Sequence, residues 1–261
     1  MTPAPPDHEP AGTDDASDDV APLDPPLHPP DPFADPEYRE AVVDLLGAMA
    51  YGELTAFSRL AADAEMAPTL PEKAALGRHA SIEFHHYELL AARLAELGAD
   101  PTRSMQPFVA AIDGFHDRAR PSTWLEGLVK AYVGDGIATD FYREVAAYLD
   151  SGTQVLVLAV LEDMGQGEFA VRAVREAIER EPSIAGRLAL WGRRLVGEAL
   201  SQAQRVAAER DALGGLLIGG WYRDAGAGYR AGGADLAEIG RMFARLTGEH
   251  TRRMGRLGLS A

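Results

Sequence analysis

The chain has 261 residues, 46% of them hydrophobic, which is enough length and apolar content to bury a substantial core. It has no cysteine, which excludes disulfide scaffolds, thiolate zinc sites, iron–sulfur clusters and thiol nucleophiles, so any metal site must use His and carboxylates. The formal net charge of -15 argues against a generally nucleic-acid-binding surface, although the charge is unevenly placed.

Residues 1–38 hold ten acids, no Lys or Arg and 11 of the 17 prolines, leaving a charge of about -5 on the remainder. Residues 1–35 are expected to be a disordered acidic, Pro-rich tail, because too few apolar side chains are present to offset the ordering entropy. The composition suits a solubilising extension; an interaction tail is the alternative. No basic-then-apolar leader opens the chain, and no run of 18 apolar residues occurs. The expectation is a soluble cytoplasmic protein with no membrane contact.

Residues 36–261 read as one helical domain. Asp35 and Pro36 suit a helix start. The first helix is predicted over about 37–64, with Val42, Leu46, Met49, Ala50, Phe57 and Leu60 at spacings of three and four. After a turn at 66–69, a second helix is predicted over about 71–97, ending at Gly98. A long connection follows, about 99–121. The third helix covers about 122–150, and the tight turn Asp150-Ser151-Gly152-Thr153 leads into a fourth over about 154–180. Pro182 and Ser183 restart the chain into a helix over about 183–210. A Gly-rich stretch, 214–233, precedes a last helix over about 234–255. Nothing alternates with the period of a sheet.

The fold class is therefore all-α. Two antiparallel hairpins joined by a long second-to-third-helix crossover form the ferritin-like four-helix bundle, here with extra C-terminal helices.

Carboxylates inside a helix bundle are costly unless paired or bound to metal. Glu53 lies in the apolar stripe of the first helix. The second carries Glu83-Phe84-His85-His86-Tyr87-Glu88, with Glu83 and His86 three apart and so on one face. Glu53 and Glu83 lie about 15 residues either side of the turn, which puts them at one height. Together with His86 they form half of a di-metal carboxylate site. The bland alternative is a satisfied core histidine beside surface ion pairs.

The second half is expected from the next hairpin. Asp163-Met164-Gly165-Gln166-Gly167-Glu168-Phe169 reads as a degenerate copy of the Glu83 motif, with Asp163 matching Glu83 and Gln166 matching His86. Asp140 lies as far before the 151–152 turn as Asp163 lies after it; Asp135, beneath the stripe Leu128, Tyr132 and Tyr142, is the alternative. A carboxamide is a poor ligand beside an imidazole. With Gln166, the site would hold two metals with water completing one of them, one metal, or none. Arg241, Arg245, Arg252, Arg253 and Arg256 form a basic stripe on the last helix, facing either RNA phosphates or acids of this chain. The Gly-rich stretch lacks a Gly-Lys-Ser/Thr ending, so it is no phosphate loop.

Four segments resemble a ferritin-like family of actinobacteria that is similar to the tRNA 2-methylthio-isopentenyladenosine hydroxylases (MiaE-like proteins). They are Glu83-x-x-His86, Val133–Glu144, Leu190–Arg194 and His250–Leu259. The resemblance covers about 37–260. It implies a non-haem di-iron oxygenase, with two iron ions used to hydroxylate an unactivated C–H bond. Glu53, Glu83 and His86 match the implied ligand pattern; Asp140 or Asp135, and Asp163, match with Asp for Glu; Gln166 departs from it. Possible partners are tRNA or a small hydrophobic substrate, and a second copy in a homodimer. The alternatives are iron or peroxide handling without hydroxylation, and a metal-free interaction scaffold.

Overall fold

A computed structural model describes Met1 and residues 31–162, 165–217, 221–224, 228–231 and 236–261. The expected tail, except Met1 and its end at 31–35, lies outside the described residues.

Helix α1 spans Pro36–Asp63 and α2 spans Leu70–Glu96. Their starts follow from local chemistry. Asp35 accepts hydrogen bonds from the Glu37 and Tyr38 N–H groups, and Thr69 accepts one from Glu72 N–H, with proline in each first turn. The two pack as an antiparallel hairpin.

The crossover is itself helical, unlike the plain connection expected from sequence. Short α3 (Pro101–Met105) and α4 (Val109–Arg118) lie along α1. Asp100 caps α3, and Pro101 takes its first turn. Gly47 permits the approach, since a Cβ there would collide with the backbone carbonyl of Ser104.

Helix α5 spans Trp124–Ala146, four residues short of the expected end, and Asp150 caps α6 (Ser151–Val160). The buried Tyr38 hydroxyl donates to Asp150 Oδ2 at 3.2 Å and accepts from Asp150 N–H at 2.6 Å, tying this turn to α1.

The predicted fourth helix is broken in two. Helix α6 ends at Val160, and α7 (Gln166–Arg180) begins only after Gly165, whose φ is +95°. That left-handed conformation suits glycine, and a second glycine at 167 weakens helical continuity further.

Helix α8 (Ala185–Glu209), short α9 (Asp211–Leu217) and α10 (Leu236–Arg256) complete the bundle. Between α9 and α10, β1 (Trp221–Asp224) pairs antiparallel with β2 (Gly228–Ala231), an element the sequence reading did not foresee. Aromatic residues favour such pairing, and two four-residue strands leave the all-α class intact.

Two apolar cores lie at opposite ends of the bundle. One gathers Leu45, Leu46, Met49, Leu90, Leu94 and Val157; the other gathers Leu60, Leu76, Leu128, Val133, Leu188, Leu195 and Met254. On α1, α2 and α5 the sequence between these cores carries Glu53, Glu83 and Asp135. The acids therefore occupy the waist of the bundle. Among the described residues no helix is long and apolar enough to cross a membrane.

The basic stripe of α10 engages acids of this chain. Arg245 makes a two-pronged pair with Glu144 at 2.7 and 2.8 Å. Arg253 pairs with Asp140, Arg256 with Glu168, and Arg252 with Glu249.

Candidate metal centre

Glu53, Glu83 and His86 each offer a ligand atom within 4.8 Å of the others. Their common height follows from the α1–α2 turn. His86 Nδ1 lies 3.7 Å from Glu53 Oε2 and 3.8 Å from Glu83 Oε2. His85 points away to solvent beside Glu88.

A second group overlaps the first. His79, Glu83 and Asp135 also lie within 4.8 Å of one another, so Glu83 belongs to both groups. His79 Nε2 is 2.8 Å from Glu83 Oε1 and 3.5 Å from Asp135 Oδ2. Nε2 is buried yet out of hydrogen-bonding alignment with any partner. The sequence reading missed His79. Its signal was present, because 79, 83 and 86 repeat at spacings of four and three on one face of α2.

Of the two α5 candidates, Asp135 joins the cluster. Asp140 does not: its Oδ2 accepts from Arg253 Nη2 at 2.8 Å, and the same nitrogen donates to the Gly136 carbonyl at 3.1 Å. A Cβ at 136 would collide with that guanidinium, which explains the glycine. The height match that favoured Asp140 assumed an unbroken helix across 154–180, and the break before Gly165 removes its premise. Asp163 lies outside the described residues. Gln166 opens α7, and its side chain lies outside them too. Their neighbours Glu162 and Gly167 border a pocket of about 280 Å³ that also reaches His79, Glu83 and Asp140.

The electrostatics are those of buried carboxylates balanced by their neighbouring histidines. Among the described residues, the basic groups within 4 Å of Glu53 and Glu83 are the two histidines. Burial, then a hydrogen bond with Glu83, pushes the Glu53 carboxyl well above the usual carboxylate range. Burial acts the same way on Glu83, but Glu53, His79 and His86 together hold it well below that range. Burial would depress His79, yet Asp135 and Glu83 raise it to about 9. Glu53 and then Glu83 raise His86 to about 9, against burial. Protons thus supply the compensating charge that two buried carboxylates require. A set of carboxylate oxygens and imidazole nitrogens around one shared Glu fits iron, manganese or zinc, with iron-type ligation well served.

The cluster opens on a second, larger cavity of about 520 Å³. Glu53 and Asp135 stand on its wall among Met49, Leu60, Phe108, Ile112, Phe115, Ile137 and Phe141. Tyr142 also faces it, and burial beside Glu53 pushes its phenol above the ordinary value.

Residues 36–220 match the family model "Ferritin-like domain, actinomycetes". The chain belongs to this family. The ferritin-like bundle is also similar to a solved structure described as "Protein 19 with aldehyde deformylating oxidase activity from Synechococcus". The two share 19% identity over 88% of this chain and 94% of that one, with a TM-score of 0.61, a likeness of fold. No curated protein matches the sequence. In this ferritin-like domain the α1–α2 hairpin supplies four of the cluster's five residues, Glu53, His79, Glu83 and His86, and α5 adds Asp135.

Proposed function

We propose that this ferritin-like protein is a dinuclear metal oxidase, with iron as the metal, acting on a largely apolar substrate held in the 520 Å³ cavity. The observation that carries this reading is the sharing of Glu83 by two overlapping ligand groups at the wall of that cavity. One ion would be held by Glu53, Glu83 and His86, the other by His79, Glu83 and Asp135. Two iron ions bound there would supply the redox change needed to use O₂ and donated electrons on a C–H bond.

The chain's own residues prepare the site. Glu53, His79 and His86 favour the ionised form of Glu83, while burial and the Glu83 contact favour the protonated form of Glu53, a proton that bound metal would displace. Phe108, Phe115 and Phe141 give the cavity an apolar wall that keeps bulk water from the substrate and orients it. Tyr142 Oη keeps its proton and so serves as a donor at the cavity edge beside Glu53.

The nucleoside-hydroxylase reading implied by the sequence resemblance would place a prenyl group in the same cavity. RNA phosphates would then compete with Glu144, Asp140 and Glu168 for the α10 arginines. That competition favours a small apolar substrate over tRNA.

Metal content per chain, measured on protein from iron-supplemented growth, tests the proposal. Close to two irons is expected, falling to none in Glu83→Ala with the helical signal intact. A wild-type chain that takes up no iron, manganese or zinc overturns it. Nucleoside analysis of tRNA from a deletion strain, compared with the parent, separates the two substrate readings.

A further inference from the structure

The large cavity has a polar end that the metal cluster does not use. Lys130 of α5 is 7% exposed and lies on the cavity wall. Among the described residues, no acid or carbonyl pairs with its ammonium; its Nζ sits 5.7 Å from the centre of the Phe115 ring. Arg59 of α1 faces the same end, and it too has no ion-pair partner among the described residues. Asp63 is the acid that faces them from α1, with Asp117 and Arg120 farther out. His116 Nδ1 of α4, close to Lys130 and Arg59, is buried with no hydrogen-bond partner. Burial and the nearby Lys130 and Arg59 keep His116 neutral, with its pKa depressed to about 3.

An unpaired buried ammonium is expensive, and the apolar remainder of the cavity offers it nothing. Two cations against one acid leave this end positively charged. The orphaned His116 nitrogen, which in its N–H tautomer is a donor, marks it as a place where an acceptor group of a ligand completes the hydrogen bonding.

We propose that Lys130 and Arg59 form a head-group site for the carboxylate of a linear apolar acid, whose tail lies along the cavity past Glu53 and Asp135. His116 flanks the head group. The spacing also sets which part of the ligand meets the metal ligands. Lys130 precedes Asp135 by five residues and Arg59 follows Glu53 by six, or about 7.5 and 9 Å along their helices. A carboxylate anchored there presents an interior methylene to the cluster rather than its head. This positional consequence rests on the proposed metal oxidase; binding of the acid does not.

Equilibrium binding of laurate tests the site, with dodecanol and methyl laurate as neutral controls of the same chain length. It is read on the metal-loaded and chelator-treated full-length protein and on Glu83→Ala. Laurate is expected to bind at least tenfold more tightly than either control in all three. Lys130→Met should abolish that preference while retaining dodecanol binding, which also shows that the variant cavity is folded. Lys130→Arg should keep it, and Arg59→Gln should reduce it. Equal binding of laurate and dodecanol to the wild type, no binding of any of the three, or a preference unchanged in Lys130→Met would overturn the proposal. A laurate preference in a chain that takes up no metal would uphold this site and overturn the oxidase reading alone.

Discussion

Glu83 Oε1 lies 2.8 Å from His79 Nε2, one helical turn earlier on α2, and this contact joins the two ligand groups into one centre. Glu83 is the only residue common to both among the described residues. Removing it is therefore expected to empty both positions, whereas His79→Ala and His86→Ala should each leave about one metal per chain. Elemental analysis of the three variants checks this pattern. Equal, complete loss in all three would mean the two positions fill as a unit.

The chelator-treated protein should become less stable as pH rises. His79 and His86 both have folded pKa values of about 9, above the ordinary 6.5. Their charged forms stabilise the fold fully below about pH 6.5, and that contribution is lost as pH climbs through 9. Metal uptake should run the other way, tightening up to about pH 9, because each ion displaces imidazole protons. Thermal melts and metal titrations at pH 6.5 and 9 check both signs.

Lys130 is expected to lower stability. Burial, opposed by Asp63, depresses its pKa from 10.5 to about 8. The unfolded chain then holds the proton more tightly than the folded one between pH 8 and 10.5. The destabilisation is full below pH 8 and disappears toward 10.5. Lys130→Met should therefore raise stability at pH 7 by roughly 2 kcal/mol, and by much less at pH 10.5. Urea unfolding at the two pH values measures the difference.

Asp140 acts as an anchor between α5 and α10. Its pair with Arg253 is 2.8 Å long, and both side chains are about one-seventh exposed. Asp140→Ala leaves a largely buried guanidinium without its acid and should cost about 2 kcal/mol. Gly136→Ala should destabilise as well, since its Cβ would displace the same guanidinium. The double variant should fall short of the sum of the two, because both act through Arg253. A denaturant double-mutant cycle reads the coupling.

The α1–α2 half of the centre was legible because its geometry is local. Two long helices joined by a short turn fix relative height by counting residues, and the spacing of three fixes the shared face of Glu83 and His86. His79 carried the same signal one turn earlier, at a spacing of four from Glu83. The α5 half was not legible by counting. Equal distance from the 151–152 turn favours Asp140 over Asp135 only if one continuous helix runs through Gly165, and the positive φ of that residue ends the symmetry. The resemblance segments around Gly136 and Arg253, and around Gly192 and Met254, gain a physical meaning only as pairs. In each, a glycine on one helix makes room for a long side chain of α10.

Composition and periodicity by themselves determined an all-helical bundle, a cysteine-free donor set, and a Glu53–Glu83–His86 face at one height. These depend on spacing along single helices and across one short turn. Only the tertiary structure decided that Asp135 faces the cluster while Asp140 faces Arg253, and that the α10 arginines meet acids of their own chain. It also decided that Lys130 ends up buried beside a cavity. Each of these turns on which helix packs against which face. That packing is fixed by contacts between residues far apart in sequence, and a helical period cannot encode the partner it will meet.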